Sequence, residues 1–360
     1  MDRMIRFLSV AVLLTGHLRC STSHISTDAV QEPEVQEDAR WDGDVQREVP
    51  ANFVQYPFDH LLRINHIQVK GTHNSYHLRP DELASEQWDY SHAPLAVQLD
   101  QFGVRQVELD VHWHSDSGGF RVYHLPILDD RSTCDTLVEC LTEMKTWSDA
   151  HPDHHVLFIL IEPKDDIDLE TIVGRYDDLD REIRSVWPRD RLVTPDDVLG
   201  DHATLEQAIQ ADGWPTLGDS RGKALFHMLD SGHHRDNYLA GNDGLRGRVM
   251  FVRGGPGDPW GGFVEIGDAR GNEERIAELV QAGFLVRSAP DSTDPAKMPQ
   301  NPERAAAALA AGSHLISTDF PAPVRASGYW FDIPGGNPSR CNPLIQIPHC
   351  TPEAIENLDQ

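Results

Sequence analysis

From about residue 60 onward, β-prone apolar runs alternate with stretches that can form helices, and the alternation continues for about 260 residues. The runs are Ile64–Thr72, Val104–Val111, Val156–Ile161, Ala224–Leu229, Val249–Val252, Phe284–Arg287 and His314–Thr318. Several are almost continuously apolar, the pattern of strands buried on both faces. Helix-like stretches lie between them, including 168–187 and 273–283, the second closed by Gly283-Phe284. Regular β/α alternation over this length predicts an α/β fold of the TIM (β/α)8 barrel type, somewhat irregular. Arg121–His124 is also β-like, but it follows Val111 too closely for a parallel crossover. The intervening "SDSGGF" is hairpin chemistry, so 121–124 reads as the return arm of a hairpin. The eighth strand is then expected at the short Arg191–Val193, before "TPDDV".

The sequence divides into 1–20, 21–55, 56–330 and 331–360. Arg3 and Arg6 flank the start of a short apolar stretch, Phe7–Leu14, the form of an export signal. Residues 21–55 are acidic and poor in apolar side chains, as in a disordered linker. Residues 56–330 are the expected barrel, and the Pro/Cys-rich 331–360 a tail packed on it. Cys20 is a candidate lipid attachment site, although His17-Leu18-Arg19 before it lacks small residues. The expected location is therefore extracellular or periplasmic. A formal charge of −27 speaks against nucleic acid as a partner and against electrostatic docking on anionic lipid. It is compatible with holding a divalent cation.

With Cys20 set aside, four cysteines remain, and their spacing suggests two local disulfides, Cys134–Cys140 and Cys341–Cys350. Six residues within one helix would separate the first pair by ~9 Å, against the ~7 Å limit between bridged Cα atoms. The bridge therefore requires the helix to start after Cys134. Ser132 and Asp135 resemble a capping box there, and apolar positions 137, 141 and 144 follow at helical spacing.

The chemistry concentrates where strands end. In "QVELDVHWH", residues 106–114, Glu108, Asp110, His112 and His114 share one face, while Val107, Leu109, Val111 and Trp113 share the other. In a barrel this places two carboxylates at the C-terminal end, where such enzymes keep their active sites. A solvated edge strand is the alternative reading of the same pattern. The next strand runs Val156–Ile161 directly into Glu162, which a simple ion pair with Lys164 would also explain. Three carboxylates at corresponding strand ends would repel one another without a cation. With the amide oxygen of Asn74 the donor set is hard, favouring Ca²⁺ ahead of Mg²⁺. His73 and His124 each end a strand-like run on the same face and suit proton transfer near neutrality. The other histidines singled out, His154-His155, His227 and His233-His234, are expected to be structural.

"GTHNSYH", "VELDVHW", "YHLP" and "IEPKDD", in this order, resemble the catalytic barrel of calcium-dependent phosphatidylinositol-specific phospholipases C of bacterial type, within the PLC-like phosphodiesterases. The later "STDFP" resembles the segment that closes such barrels. The resemblance covers roughly 60 to 325. It implies His73 and His124 as catalytic and Asn74, Glu108, Asp110 and Glu162 as calcium ligands. The implied reaction converts phosphatidylinositol, or a related inositol phosphodiester, into diacylglycerol and inositol 1,2-cyclic phosphate, then inositol phosphate. Lys164 and Arg287 are candidate substrate contacts.

A glycerophosphodiester phosphodiesterase or phospholipase D-like enzyme on the same barrel is the alternative, although the first usually carries His-Arg where this chain has His73-Asn74. An inactive secreted binding protein is the second. "GGPGDPWGG", residues 254–262, lacks the Gly-Lys-Ser/Thr ending of a phosphate loop and reads as an ordinary loop. Trp88, Trp113 and Trp260 are candidates for an apolar rim in transient contact with a lipid interface. The chain is expected to act as a monomer.

Overall fold

The computed structural model describes residues 55–165, 171–241, 245–292, 302–323, 328–336 and 338–356. Residues 1–54, on which the expected export signal and most of the linker fall, lie outside the described residues. Eleven strands are present among those described: β1 (Ile67–Thr72), β2 (Gln106–His114), β3 (Gly119–Val122), β4 (Leu157–Lys164), β5 (Leu192–Val193), β6 (Ala224–Met228), β7 (Met250–Val252), β8 (Phe263–Glu265), β9 (Leu285–Ser288), β10 (Leu315–Thr318) and β11 (Ser339–Cys341). Parallel ladders run in the order β7-β6-β4-β2-β1-β10-β9-β8. The sheet curls into an α/β barrel of TIM type. Its seam lies between β7 and β8, joined by the bridge of Gly254 N–H to the Phe263 carbonyl at 3.0 Å.

β3 returns antiparallel along β2, pairing Val111 with Val122, as the hairpin chemistry predicts. The expectation for the eighth strand needs correction. Leu192–Val193 is a strand, but it shares an edge of β6 with β7. The remaining stave is β8, which is three residues long and hidden behind the glycine-rich 254–262.

Alternation sorts side chains between two apolar layers. Val107, Leu109, Val111, Leu157, Ile159 and Ile161 pack outward with Leu141, Met144 and Ile183 from the helices Leu137–Ala150 and Tyr176–Val186. Phe158, Leu160, Leu225, Phe251, Phe263 and Leu285 fill the barrel with Val69 and Leu315. The register pairs Glu108 with Leu160 and Asp110 with Glu162, so these carboxylates share the inner face above the apolar plug. Gly71 is required by this packing: a Cβ there would lie 2.0 Å from Oε1 of Gln106.

Both disulfides are present, with Cα separations of 5.2 Å for Cys134–Cys140 and 6.0 Å for Cys341–Cys350. The helix does begin beyond Cys134, at Leu137. Its capping box is Thr136 with Glu139, not Ser132 with Asp135: the Thr136 hydroxyl accepts from Glu139 N–H at 3.2 Å, and Glu139 accepts from Thr136 N–H at 3.0 Å. The helix Glu273–Gln281 stops at Gly283, whose φ of +90° suits glycine.

The tail plugs the end opposite the carboxylates. β11 runs antiparallel to β1, pairing Ile67 with Cys341 and Val69 with Ser339. Val69 also pairs with Leu315, so β11 lies on the edge of β1 that faces β2. Glu356 then enters the barrel base, accepting from Nε of Arg105 at 3.1 Å and from the His155 N–H at 3.1 Å. Burial alone would raise its pKa, but Arg105 and then His155 hold it at about 2. A carboxyl with a depressed pKa stabilises the fold above its ordinary value, and that contribution disappears as pH falls through the folded value. Glu356→Gln should lose stability at neutral pH and flatten the acid limb between about 4.5 and 2. Glu356→Ala should cost about 3–5 kcal/mol because Arg105 stays buried and unpaired. Urea unfolding at stepped pH measures both.

Candidate active site

The turn after β1 is built to hold side chains in place. The Ser75 N–H donates to the Glu108 carbonyl at 3.0 Å, and the Ser75 hydroxyl accepts from the Glu108 N–H at 2.8 Å. Asn74 takes a positive φ of 42°, a region Asn tolerates better than most residues. The His73 N–H donates to the Thr318 carbonyl at 3.0 Å. This short run therefore stitches β1 to β2 on one side and β10 on the other. Polar residues at the end of an apolar strand have structural as well as chemical work.

The His73 ring is 32% exposed, with Nδ1 2.7 Å from Oδ1 of Asp319 and Nε2 3.6 Å from Oε1 of Glu108. Burial pulls its pKa down, but Asp319 and then Glu108 outweigh that and raise it to about 9. His124 has the same arrangement, with Nδ1 2.7 Å from Oδ2 of Asp129. The other oxygen of Asp129 lies 2.8 Å from Nε2 of His77. Burial opposes ionisation of Asp129, yet hydrogen bonds to His124 and His77 hold its pKa below the usual range. His77 belongs to the turn that carries His73, so a single buried carboxylate ties the two histidine-bearing segments together.

Glu108, Asp110 and Glu162 each offer an oxygen within 4.8 Å of the others. Glu108 and Asp110 are buried, and burial followed by the charge of Glu162 drives the Asp110 pKa well above the ordinary value. Two cations respond to this charge. Lys164 Nζ stands 2.5 Å from Glu162 and 3.1 Å from Asp110. Arg287 Nη2 donates to Glu108 at 2.6 Å, while Nη1 reaches Glu265 at 2.6 Å. The two candidate substrate contacts are therefore each held by carboxylates here. Oδ2 of Asp110 meets Lys164, whereas Oδ1 of Asp110 and Oδ1 of Asn74 are buried without a hydrogen-bond partner. Partnerless buried oxygens beside clustered carboxylates fit a hard cation such as Ca²⁺.

A cleft of about 280 Å³ opens over this group, lined by His73, Glu108, Glu162, Arg253, Glu265 and Arg287. That volume suits a small polar ring with a phosphate. His112 is a buttress instead, its ring stacked 3.8 Å from Tyr123. Asp319, Asp129, His77 and Glu265 join the site without any local sequence pattern that marks them. Asp319 lies in "STDFP" and Asp129 five residues after His124. Their pairing with histidines depends on tertiary contact, across 246 positions in the case of His73.

The family described as phosphoinositide phospholipase C, Ca2+-dependent, matches residues 62–121 and 113–343. The chain belongs to this family. It is thus a phosphodiester-cleaving enzyme of a calcium-dependent group. Among solved structures, it is similar to a Ca2+-dependent phosphatidylinositol-specific phospholipase C from Streptomyces antibioticus. That match has 21% identity and a TM-score of 0.52, covering 72% of this chain and 95% of the other. A calcium-dependent phosphoinositol-specific phospholipase C from a Gram-negative Pseudomonas gives 19% identity and a TM-score of 0.55, covering 79% and 97%. Its myoinositol complex gives 20% and 0.54, covering 78% and 95%. These likenesses establish the shared fold. No curated protein sequence matches the chain.

Removing Asp319 tests the electrostatics directly. Asp319→Asn should lower the His73 pKa from about 9 toward its ordinary 6.5, because the largest opposing charge is lost while burial remains. Titration of the His73 ring by NMR in cation-free protein measures the shift. An unchanged value would show that the Asp319 charge does not govern this ring.

Proposed function

We propose that the protein cleaves phosphatidylinositol, or a related inositol phosphodiester, in a Ca²⁺-dependent reaction that yields diacylglycerol and inositol 1,2-cyclic phosphate. The observation that carries this reading is the cluster of Glu108, Asp110 and Glu162 beside a histidine oriented by Asp319, in a chain of this family. Glu108, Asp110, Glu162 and Asn74 would hold the cation, which would act as a Lewis acid toward a phosphate oxygen and the inositol 2-hydroxyl.

His73 or a neighbouring carboxylate, Glu108 or Glu162, takes the proton of the 2-hydroxyl. That oxygen attacks phosphorus, and the bond from phosphorus to the diacylglycerol oxygen breaks. His124, with Nδ1 held by Asp129, protonates the leaving oxygen through Nε2. Where a carboxylate is the base, His73, oriented by Asp319, instead opposes the negative charge that builds on the phosphate. Arg287 lines the cleft as a contact to phosphate or inositol, and Lys164 joins it once the carboxylates beside it are neutralised. Slower attack of water on the cyclic product gives inositol phosphate. Two disulfides support action outside the cytoplasm. Among the described residues no helix is long and apolar enough to cross a membrane.

Contact with lipid is expected at the tip that follows His124. Leu125 and Asp129 close a tight hairpin through reciprocal 3.0 Å hydrogen bonds. Between them Ile127 is 89% exposed and Leu128 54% exposed. Trp113, by contrast, is buried in the outer layer. Trp88 and Trp260 are partly buried, Trp88 edge-on to His124 and Trp260 against that layer. Burying Ile127 and Leu128 in lipid is worth about 3 kcal/mol together, roughly a hundredfold in affinity. Ile127→Asn with Leu128→Ser should reduce vesicle binding by about that factor and leave turnover of a soluble inositol phosphodiester intact. Equal loss on both substrates would remove the tip from any role in lipid contact.

The reaction itself is tested by following inositol products from phosphatidylinositol micelles, with Ca²⁺ and with excess chelator. Cyclic phosphate should appear only with Ca²⁺, and His73→Ala and His124→Ala should each reduce kcat by about 10²–10⁴-fold. Head group released without a cyclic intermediate would point to glycerophosphodiesterase chemistry. Tight Ca²⁺ binding without turnover on either class of diester would point to a binding protein.

A further inference from the structure

His233 and His234 follow β6 and open the helix His233–Leu239, and both turn toward Asp165, three residues beyond Glu162 at the end of β4. Oδ2 of Asp165 lies 2.9 Å from Nε2 of His233 and 3.6 Å from Nε2 of His234. The three donor atoms lie within 4.8 Å of one another. In a tetrahedral site with bonds of about 2.0–2.1 Å, adjacent donors stand roughly 3.3 Å apart. The two separations from Asp165 bracket that value, and the two imidazole donors lie within 4.8 Å of each other.

Each buried or shared donor also has an outer partner. His234 is buried, and its Nδ1 lies 2.9 Å from the Tyr176 hydroxyl, which leaves Nε2 aimed at Asp165. The second oxygen of Asp165 accepts from the Thr171 hydroxyl at 2.9 Å and from the Ile172 N–H at 3.2 Å. Outer hydrogen bonds of this kind fix the tautomer and direction of metal ligands. We propose that Asp165, His233 and His234 form a second cation site, selective for a borderline transition metal such as Zn²⁺ and separate from the all-oxygen calcium cluster.

Two imidazoles and one carboxylate suit Zn²⁺ and disfavour Ca²⁺. Three protein donors leave a fourth position for water or a small ligand. The site clasps the segment after β4 to the segment after β6. Both border the cleft, through Glu162 and Pro163 on one side and Asp230 and Ser231 on the other. An occupied clasp therefore stiffens one wall of the active-site cleft. None of this depends on which phosphodiester the enzyme cleaves.

Zn²⁺ titration by calorimetry, with the full chain and saturating Ca²⁺ to fill the hard site, tests the proposal. One equivalent of Zn²⁺ should bind, and its X-ray absorption edge should show nitrogen and oxygen neighbours at about 2.0–2.1 Å with imidazole scattering. Asp165→Asn and His233→Gln keep hydrogen-bonding side chains at exposed positions and should fold normally by circular dichroism. Each should weaken Zn²⁺ by roughly a hundredfold or more. His202→Ala, which removes a surface histidine paired with Asp212 elsewhere, should leave affinity unchanged. Affinity unaltered by both ligand substitutions, or no Zn²⁺ binding by folded wild-type protein up to 100-fold molar excess, would overturn the proposal.

Discussion

Three carboxylates held within 4.8 Å of one another on the inner faces of β2 and β4 set the terms for everything around them. Such charge cannot stay buried and unbalanced, because desolvation costs several kcal/mol per ion and like charges add to it. The surrounding residues answer that demand. Lys164 bends back onto Asp110 and Glu162, Arg287 spans Glu108 and Glu265, and His73 is drawn toward its charged form. Even so, Oδ1 of Asp110 and Oδ1 of Asn74 stay buried without a hydrogen-bond partner. Unpartnered oxygens among clustered carboxylates fit a hard divalent cation, consistent with membership of a Ca²⁺-dependent family.

The two ends of the barrel divide the work. At the carboxylate end, the candidate catalytic histidines come from turns, but these are tied to β2 through Ser75 and to each other through Asp129. At the other end Glu356 and Arg105 make a buried pair that closes the base. Barrel enzymes place catalysis and stability at opposite faces in this manner. A change at Glu356 therefore acts on folding, whereas a change at Asp129 acts on the orientation of His124 and His77 together.

The inner face of "QVELDVHWH" was readable because strand period alone puts Glu108 and Asp110 on one side, and the structure keeps them there. Most strands were readable for the same reason. β8 was not, because three residues carry almost no periodic signal and the preceding glycines suggest only a loop. The partners of the histidines were hidden differently. Asp319 and Asp129 are ordinary acidic residues until tertiary packing brings them to His73 and His124. Arg287 ended the expected seventh strand, but sequence alone could not reveal that its guanidinium is shared between Glu108 and Glu265. His233 and His234 looked structural in sequence, and only the fold turns them toward Asp165.

The measurement closest to the central claim is Ca²⁺ titration of the wild-type protein and of Asp110→Asn by calorimetry. The account predicts one Ca²⁺ site in the wild type, lost or weakened at least roughly tenfold when Asp110, the most deeply buried donor, gives up its charge. Ca²⁺ binding of equal strength in Asp110→Asn, or none in folded wild-type protein, would contradict the assignment of the carboxylate cluster as the metal centre.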